Sequence, residues 1–228
     1  MPSLTEAIAA TGEHVLVGAT AWCTHPANLD VARVGGTKNP DTEAVLRLRP
    51  DVVIANAEEN RASDIGALRA AAVPVWVTAP GSLDSALTSL GRMLAALRLG
   101  RPGWLDEAVV TWAEPHQGPR RTAVVPIWRR PWMALGRDTF AGDVLRHLGV
   151  DNVLADVAER YPRIDLAGLP PFDLVVLPDE PYAFSRDDGP EAFPASPAAC
   201  VSGRHMTWYG PSLIAARKVL SRQLADAY

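Results

Sequence analysis

Cysteine is nearly absent from this chain of 228 residues: Cys23 and Cys200 stand far apart and give neither a disulfide framework nor a zinc-finger spacing. Positive charge is also short. Lys and Arg total 22 against 26 Asp and Glu, for a formal net charge of −4, and the pairs Arg120-Arg121 and Arg129-Arg130 stand alone. That removes the basic footprint of a nucleic-acid binder. No run approaches the ~20 apolar residues of a membrane-spanning helix. The opening Met1-Pro2-Ser3-Leu4-Thr5-Glu6 has no basic region, apolar stretch or lipidation cysteine. The chain as it stands is therefore expected in the cytoplasm, and outside it if the true start lies upstream. Catalytic signatures are missing as well: there is no Gly-x-Ser-x-Gly elbow and no Ser-His-Asp order, and Gly35-Gly36-Thr37-Lys38 lacks P-loop spacing.

What is present is apolar material: 48% hydrophobic residues over this length supply a substantial core for one or two domains. Two continuous apolar runs, Pro50 to Glu59 and Phe172 to Glu180, are each entered through an Asp and left through acids. Parallel strands buried on both faces read this way, so two α/β lobes are expected, at 1–80 and 118–228. Between them 81–117 reads as a helical linker. Leu83, Leu87, Leu90, Leu94 and Leu97 step by four and three along one helical face, Ser82 is placed to cap the start, and Gly100 with Pro102 stops it. Ser3 and Glu6 form the pattern of a capping box for a first helix ending at Gly12. At most two residues then remain for a strand before that helix, so the first strand of the N-terminal lobe is expected to be missing. Val15–Thr20, Val75–Val77 and Ala123–Trp128 read as further strands. Asp41–Leu48, Arg61–Ala71, Trp104–Trp112, Thr139–Leu148 and Ser212–Ala227 read as helices, and Pro181–Ser196 as a long loop.

In open parallel sheets ligands bind beyond the carboxyl ends of strands, which is where Glu58, Glu59, Asp179 and Glu180 fall. Trp22, His25, Trp128, Trp132, Tyr161, Tyr182, Trp208 and Tyr209 also gather where strands finish. Flat amphipathic rings around a few polar groups suit a large planar or macrocyclic ligand; the alternative is that several pack the lobes. Thr37, Lys38, Asn39, Asn60 and Arg129 complete the candidate ligand-binding set. Cys23 and His25 could place a thiolate and an imidazole on one loop as metal ligands, with His205 or an acid supplying the rest of the site. The alternative is a packed cysteine and a capping histidine. No residue is assigned a catalytic role, no cofactor is required, and a monomer is expected.

Several motifs, taken in order, resemble the helical-backbone metal receptors, the substrate-binding proteins of ABC importers for cobalamin and iron-siderophores. They are Pro-Ser-Leu-Thr-Glu, Trp-Cys-Thr-His-Pro, Val-Gly-Gly-Thr-Lys-Asn, Arg-Pro-Asp-Val-Val-Ile-Ala followed by Glu-Glu-Asn-Arg, Ile-Trp-Arg-Arg-Pro-Trp-Met, Gly-Arg-Asp-Thr-Phe, Arg-Tyr-Pro and Leu-Pro-Asp-Glu-Pro-Tyr. The resemblance covers nearly the whole chain. It implies two Rossmann-like lobes joined by a long backbone helix, with a metal chelate such as a corrinoid or ferric siderophore held between them. Either 82–99 or the stretch after Pro102 fills the backbone-helix role. The resemblance further implies that Trp22 and Tyr161 match aromatic positions that touch corrin, while Thr37 stands where a third ring would be. It implies that Glu43 matches the glutamate that docks on an ABC permease, whose second docking position falls at Ala167. Two other readings accompany it: a chelatase-like enzyme using His25 with Glu58 or Glu59, and a cytoplasmic sensor or storage protein on the same fold.

Overall fold

The computed structural model describes residues 1–228 and divides into two units. Unit 1 holds Met1–Pro80, Ala86–Asp106 and Tyr209–Pro211; unit 2 holds Gly81–Ser85, Glu107–Trp208 and Ser212–Tyr228. The stretch expected as a separate linker, 81–117, is thus shared out between them.

Unit 1 opens with α1 (Pro2–Gly12). Pro2 takes the first helical position, where its missing N–H costs nothing, and this carries Ser3 inside the helix. The expected capping box does not form: Ser3 is fully buried, and no side chain caps the helix. Where a strand was expected over Val15–Thr20, a 3-10 turn at Glu13–Val15 leaves only β1 (Gly18–Ala19). β1 pairs in parallel with β2 (Ala32–Arg33). α2 (Thr42–Leu48) is capped by Asp41, whose carboxylate accepts from the Ala44 amide at 2.9 Å. Then come β3 (Val53–Asn56), α3 (Ala62–Ala70) and β4 (Val75–Thr78), with β3 and β4 parallel and in register from Val53 opposite Val75 to Asn56 opposite Thr78. The two sheets of unit 1, β1-β2 and β3-β4, share no ladder.

α4 (Leu83–Ala96) is the expected leucine-striped helix, ending one residue before the last leucine of its stripe. Leu83, Ala86, Leu90, Met93 and Leu94 form its buried face, while Leu87 and Leu97 are only half-buried. Its last turn closes at Arg98, which adopts the left-handed conformation at φ 59°, two residues before the glycine expected to do so. α5 (Gly103–Ala113) follows.

Unit 2 centres on a four-stranded parallel sheet of β5 (Arg121–Val124), β8 (Val150–Asn152), β9 (Leu174–Pro178) and β10 (Ala198–Val201), in the order β10-β9-β5-β8. The chain passes from β5 into an antiparallel pair, β6 (Pro126–Trp128) with β7 (Met133–Ala134), and then α6 (Phe140–His147), capped by the Thr139 hydroxyl. α7 (Gly203–Thr207) and α8 (Leu213–Ala225) close the chain. All five residues of β9 are buried, as a strand covered on both faces requires. β3, expected to match it, leaves Val53 and Ile54 half-buried.

Candidate functional site

In unit 1 the strand-end loops are stitched together by short polar side chains. Thr20, just past β1, meets the Thr37 hydroxyl at 3.3 Å, and the Asn60 amide donates to the Thr37 carbonyl at 2.9 Å. Asn56, the last residue of β3, shapes the turn that follows. Its side-chain oxygen accepts from the Glu58 and Glu59 amides at 2.8 and 3.2 Å, and its backbone N–H donates to Asn60 Oδ1 at 2.9 Å. Its Nδ2 donates to the Tyr209 hydroxyl at 2.7 Å. The Arg33 guanidinium donates to the Cys23 and Leu29 carbonyls and so holds the loop after β1. This scaffold presents Trp22, which is 71% exposed, together with exposed Lys38, Asn39 and Glu58, while Glu59 and His25 are half-buried.

Three expectations in unit 1 change. Cys23 is buried, its sulfur 3.1 Å from the Thr5 hydroxyl and 3.2 Å from that of Thr20, while His25 Nδ1 lies 3.1 Å from the Thr24 hydroxyl. No group of three or more His, Cys, Asp or Glu side chains is placed to hold a metal, so the Cys23-His25 site gives way to a packed cysteine. Thr37 is buried and ties loops together instead of facing a ligand. Tyr209 is buried too, its hydroxyl bonded to Asn56 and 3.1 Å from that of Thr78, and burial pushes its pKa up to about 12. It is a core tyrosine.

In unit 2 Trp128, the last residue of β6, and Arg129, Arg130 and Trp132 of the loop after it stand against the loop after β9. Trp128 is 43% exposed and meets Tyr182 edge-on at 5.7 Å. The Tyr182 hydroxyl donates to Asp188 at 2.7 Å, and Arg129 is ion-paired with Asp188 and Glu191. The Tyr182 hydroxyl and the guanidinium hold the Asp188 carboxyl below the usual carboxylate range. Arg129, a candidate ligand-binding residue, therefore already has both charges of its own loop group as partners. Arg130 beside it is exposed and in no ion pair, at a left-handed φ of 69°. Trp132 stacks on Phe184 at 5.9 Å and meets Phe193 edge-on at 5.6 Å, in a cluster with Val175 and Leu177 of β9. Its side chain is half-buried and packs against that cluster. Segment 160–164 runs beside β7, with the Ile164 amide bonded to the Trp132 carbonyl and the Ala134 amide to that of Pro162, and it brings the exposed Tyr161 to this loop group.

Asp179, Glu180 and Trp208 form a separate fixed group. Asp179 accepts from the Gly203 amide at 2.6 Å, and a Cβ at Gly203 would lie 2.8 Å from the Glu180 nitrogen, so only glycine fits there. Burial, with Asp179 beside it, raises the Glu180 pKa, and a hydrogen bond from Trp208 works against that. Trp208 is buried under the Arg204 guanidinium, 5.3 Å from the ring. Trp208 therefore packs the strand end. Asn56, Asp188 and Glu191 are the site-building residues that sequence reasoning missed. Of these, only Asn56 carried a signal, as the polar residue ending a hydrophobic run.

Among solved structures the likeness is to periplasmic binding proteins, and it spans nearly the whole chain. A periplasmic heme-binding protein, BhuT, in complex with two hemes superposes with a TM-score of 0.77 at 22% identity, covering 97% of this chain and 96% of that one. The apo periplasmic heme-binding protein RhuT from Roseiflexus sp. RS-1 gives 0.77 at 20%, covering 99% and 95%. The periplasmic vitamin B12 binding protein BtuF of Vibrio cholerae gives 0.77 at 18%, covering 99% and 94%. The chain has the fold of these proteins. No protein-family model and no curated protein matches it.

Proposed function

We propose that this chain is a non-catalytic binding protein for a planar, anionic metal chelate, a haem-like tetrapyrrole before a corrinoid or ferric siderophore. The observation that carries this is a fold shared over nearly its full length with proteins that bind heme and vitamin B12. Each unit supports it with an exposed tryptophan at a braced strand end, Trp22 in the loop after β1 in unit 1 and Trp128 at the end of β6 in unit 2, and with an exposed base on its strand-end loops, Lys38 or Arg130. Rings bind the flat face of such a ligand and cations its carboxylates. With Thr37 committed to the loop scaffold, the third ring of a corrin site has no counterpart there. The protein acts outside the cytoplasm and hands its ligand to an ABC permease. Glu43, whose side chain is 87% exposed on α2, is the docking carboxylate of unit 1, and the exposed Ala167 leaves unit 2 without one.

Haem, cobalamins and ferric siderophores titrated against tryptophan fluorescence and thermal shift test the reading. Binding of one class at micromolar or lower Kd is expected. Replacing Arg130 by Ala weakens it several-fold and flattens its salt dependence, because one screened charge contact is lost. Absence of binding below the high-micromolar range for all three classes overturns the reading, as does metal insertion into a free tetrapyrrole.

A further inference from the structure

Where unit 2 has one continuous parallel sheet, unit 1 has two separate pairs of strands. In unit 2 the central place belongs to β5, which pairs with β8 on one edge and with β9 on the other. In unit 1, β1 pairs with β2 alone and β3 with β4 alone. A cavity of about 730 Å³ is lined there by Ala19 of β1, Ile54 of β3, Leu4 and Ile8 of α1, Val45 of α2 and Leu68 of α3. We propose that this cavity is the seat of a further parallel β-strand, lying between β1 and β3 and supplied by a segment of this same polypeptide that runs directly into Met1.

Four observations on unit 1 carry it. The first is size: a strand spaced ~4.8 Å from its neighbours, in a layer ~10 Å thick and rising ~3.3 Å per residue, fills about 160 Å³ per residue. The cavity therefore takes about five residues, the length of β9. The second is chemistry: apolar side chains line it from α1, α2 and α3, as they would for a strand covered on both faces. The third is incomplete burial, since Val53 and Ile54 of β3 stay half-buried while every residue of β9 is buried. The fourth is direction. Met1 lines the cavity, and its sulfur accepts from the Tyr209 hydroxyl at 3.4 Å. That hydroxyl also bonds Asn56 and Thr78, the last residues of β3 and β4. Met1 therefore lies at the carboxyl end of the sheet. A chain entering it through the cavity runs parallel to β3 and continues into α1 at Pro2, a strand followed by its crossover helix.

The proposal is independent of the ligand reading, and its test needs no ligand. The β9 sequence Asp-Leu-Val-Val-Leu is fused directly before Met1, with Asp-Leu-Pro-Pro-Leu as the control, since proline gives the ladder no donors. Thermal unfolding and amide hydrogen exchange are then compared with the parent chain. The fusion is expected to raise the Tm by about 5 °C or more and to slow exchange at Ala19, Ile54 and Ala55 at least about tenfold, with neither change in the control. If that fusion aggregates, Thr-Val-Thr-Val-Thr makes the same comparison with a more polar strand. No protection in any soluble fusion overturns the proposal, and so does equal protection in the control. Protection seen only with the free peptide, or only together with dimerisation by size-exclusion chromatography, overturns it by placing the strand's source elsewhere.

Discussion

Trp22 and Trp132 both follow strands in sequence and do opposite things. Trp132 is fixed between Phe184 and Phe193, so Trp132→Ala opens a void among rings and should cost about 3 kcal/mol in denaturant unfolding. Trp22 is mostly exposed and its replacement by Ala should leave stability within about 0.5 kcal/mol while weakening chelate binding about tenfold. Measuring both variants by urea titration and haem titration checks the pair. Loss of folding in Trp22→Ala, or full stability in Trp132→Ala, would reverse their roles. Glu180 gives a prediction in pH. Its folded pKa lies above its ordinary value, so the native state holds the proton more tightly than the unfolded chain does. Its contribution to stability is then full below the unfolded pKa, near 4.5, and is lost as pH rises through the raised folded value. Glu180→Gln resembles the protonated form and still accepts from Trp208. It should be more stable than the parent at pH 7–8, by less than about 1 kcal/mol given the partial exposure, and should lose that advantage near pH 4. Equal gains at both pH values would locate its effect outside titration.

At the level of elements, β3 and β9 could be found from their apolar runs because a strand covered on both faces needs no partner to declare itself. α4 showed in its leucine spacing, although Ala86 and Met93 took places in the buried face that the leucines alone suggested for Leu87 and Leu97. β10 and α7 were hidden. Ala198-Ala199-Cys200-Val201 has little of a strand's branched character and is a strand through its pairing with β9. The strand-end loops were legible as places and not as roles. Trp132 meets Phe184 and Phe193, and Arg129 meets Asp188 and Glu191, across more than fifty residues of chain, a distance no periodicity spans. Asn56 illustrates what such loops depend on, since one side chain orders the turn after β3 and anchors it to Tyr209. Asn56→Ala should cost about 2–3 kcal/mol, because buried partners lose their bonds together. Asn56→Asp keeps the acceptor and loses the donor to Tyr209, and should fall between. A cost under 0.5 kcal/mol for the alanine variant would mean the turn holds itself.

Across the molecule, the two units are built from the same parts with unequal closure. β5 in unit 2 has a neighbour on both edges, whereas every strand of unit 1 has one. A parallel ladder with one partner leaves backbone groups on its other edge to water or to a lodged segment, and opening such a pair breaks fewer bonds than opening a four-stranded sheet. Native-state hydrogen exchange should therefore rank them. The amides of β9, buried along all five residues, should exchange near the global unfolding limit. Those of β1 and β3 should exchange about a hundredfold faster or more, a difference of about 2.8 kcal/mol in opening free energy at 1.4 kcal/mol per decade. A chelate that engages the loops after β1 and β3 binds only the closed form of unit 1. It should narrow the gap by raising protection at Ala19 and Ala55 in proportion to ligand concentration over Kd, while β9 changes little. Equal protection of β1, β3 and β9 in the free protein would show that unit 1 is as tightly closed as unit 2 despite its divided sheet.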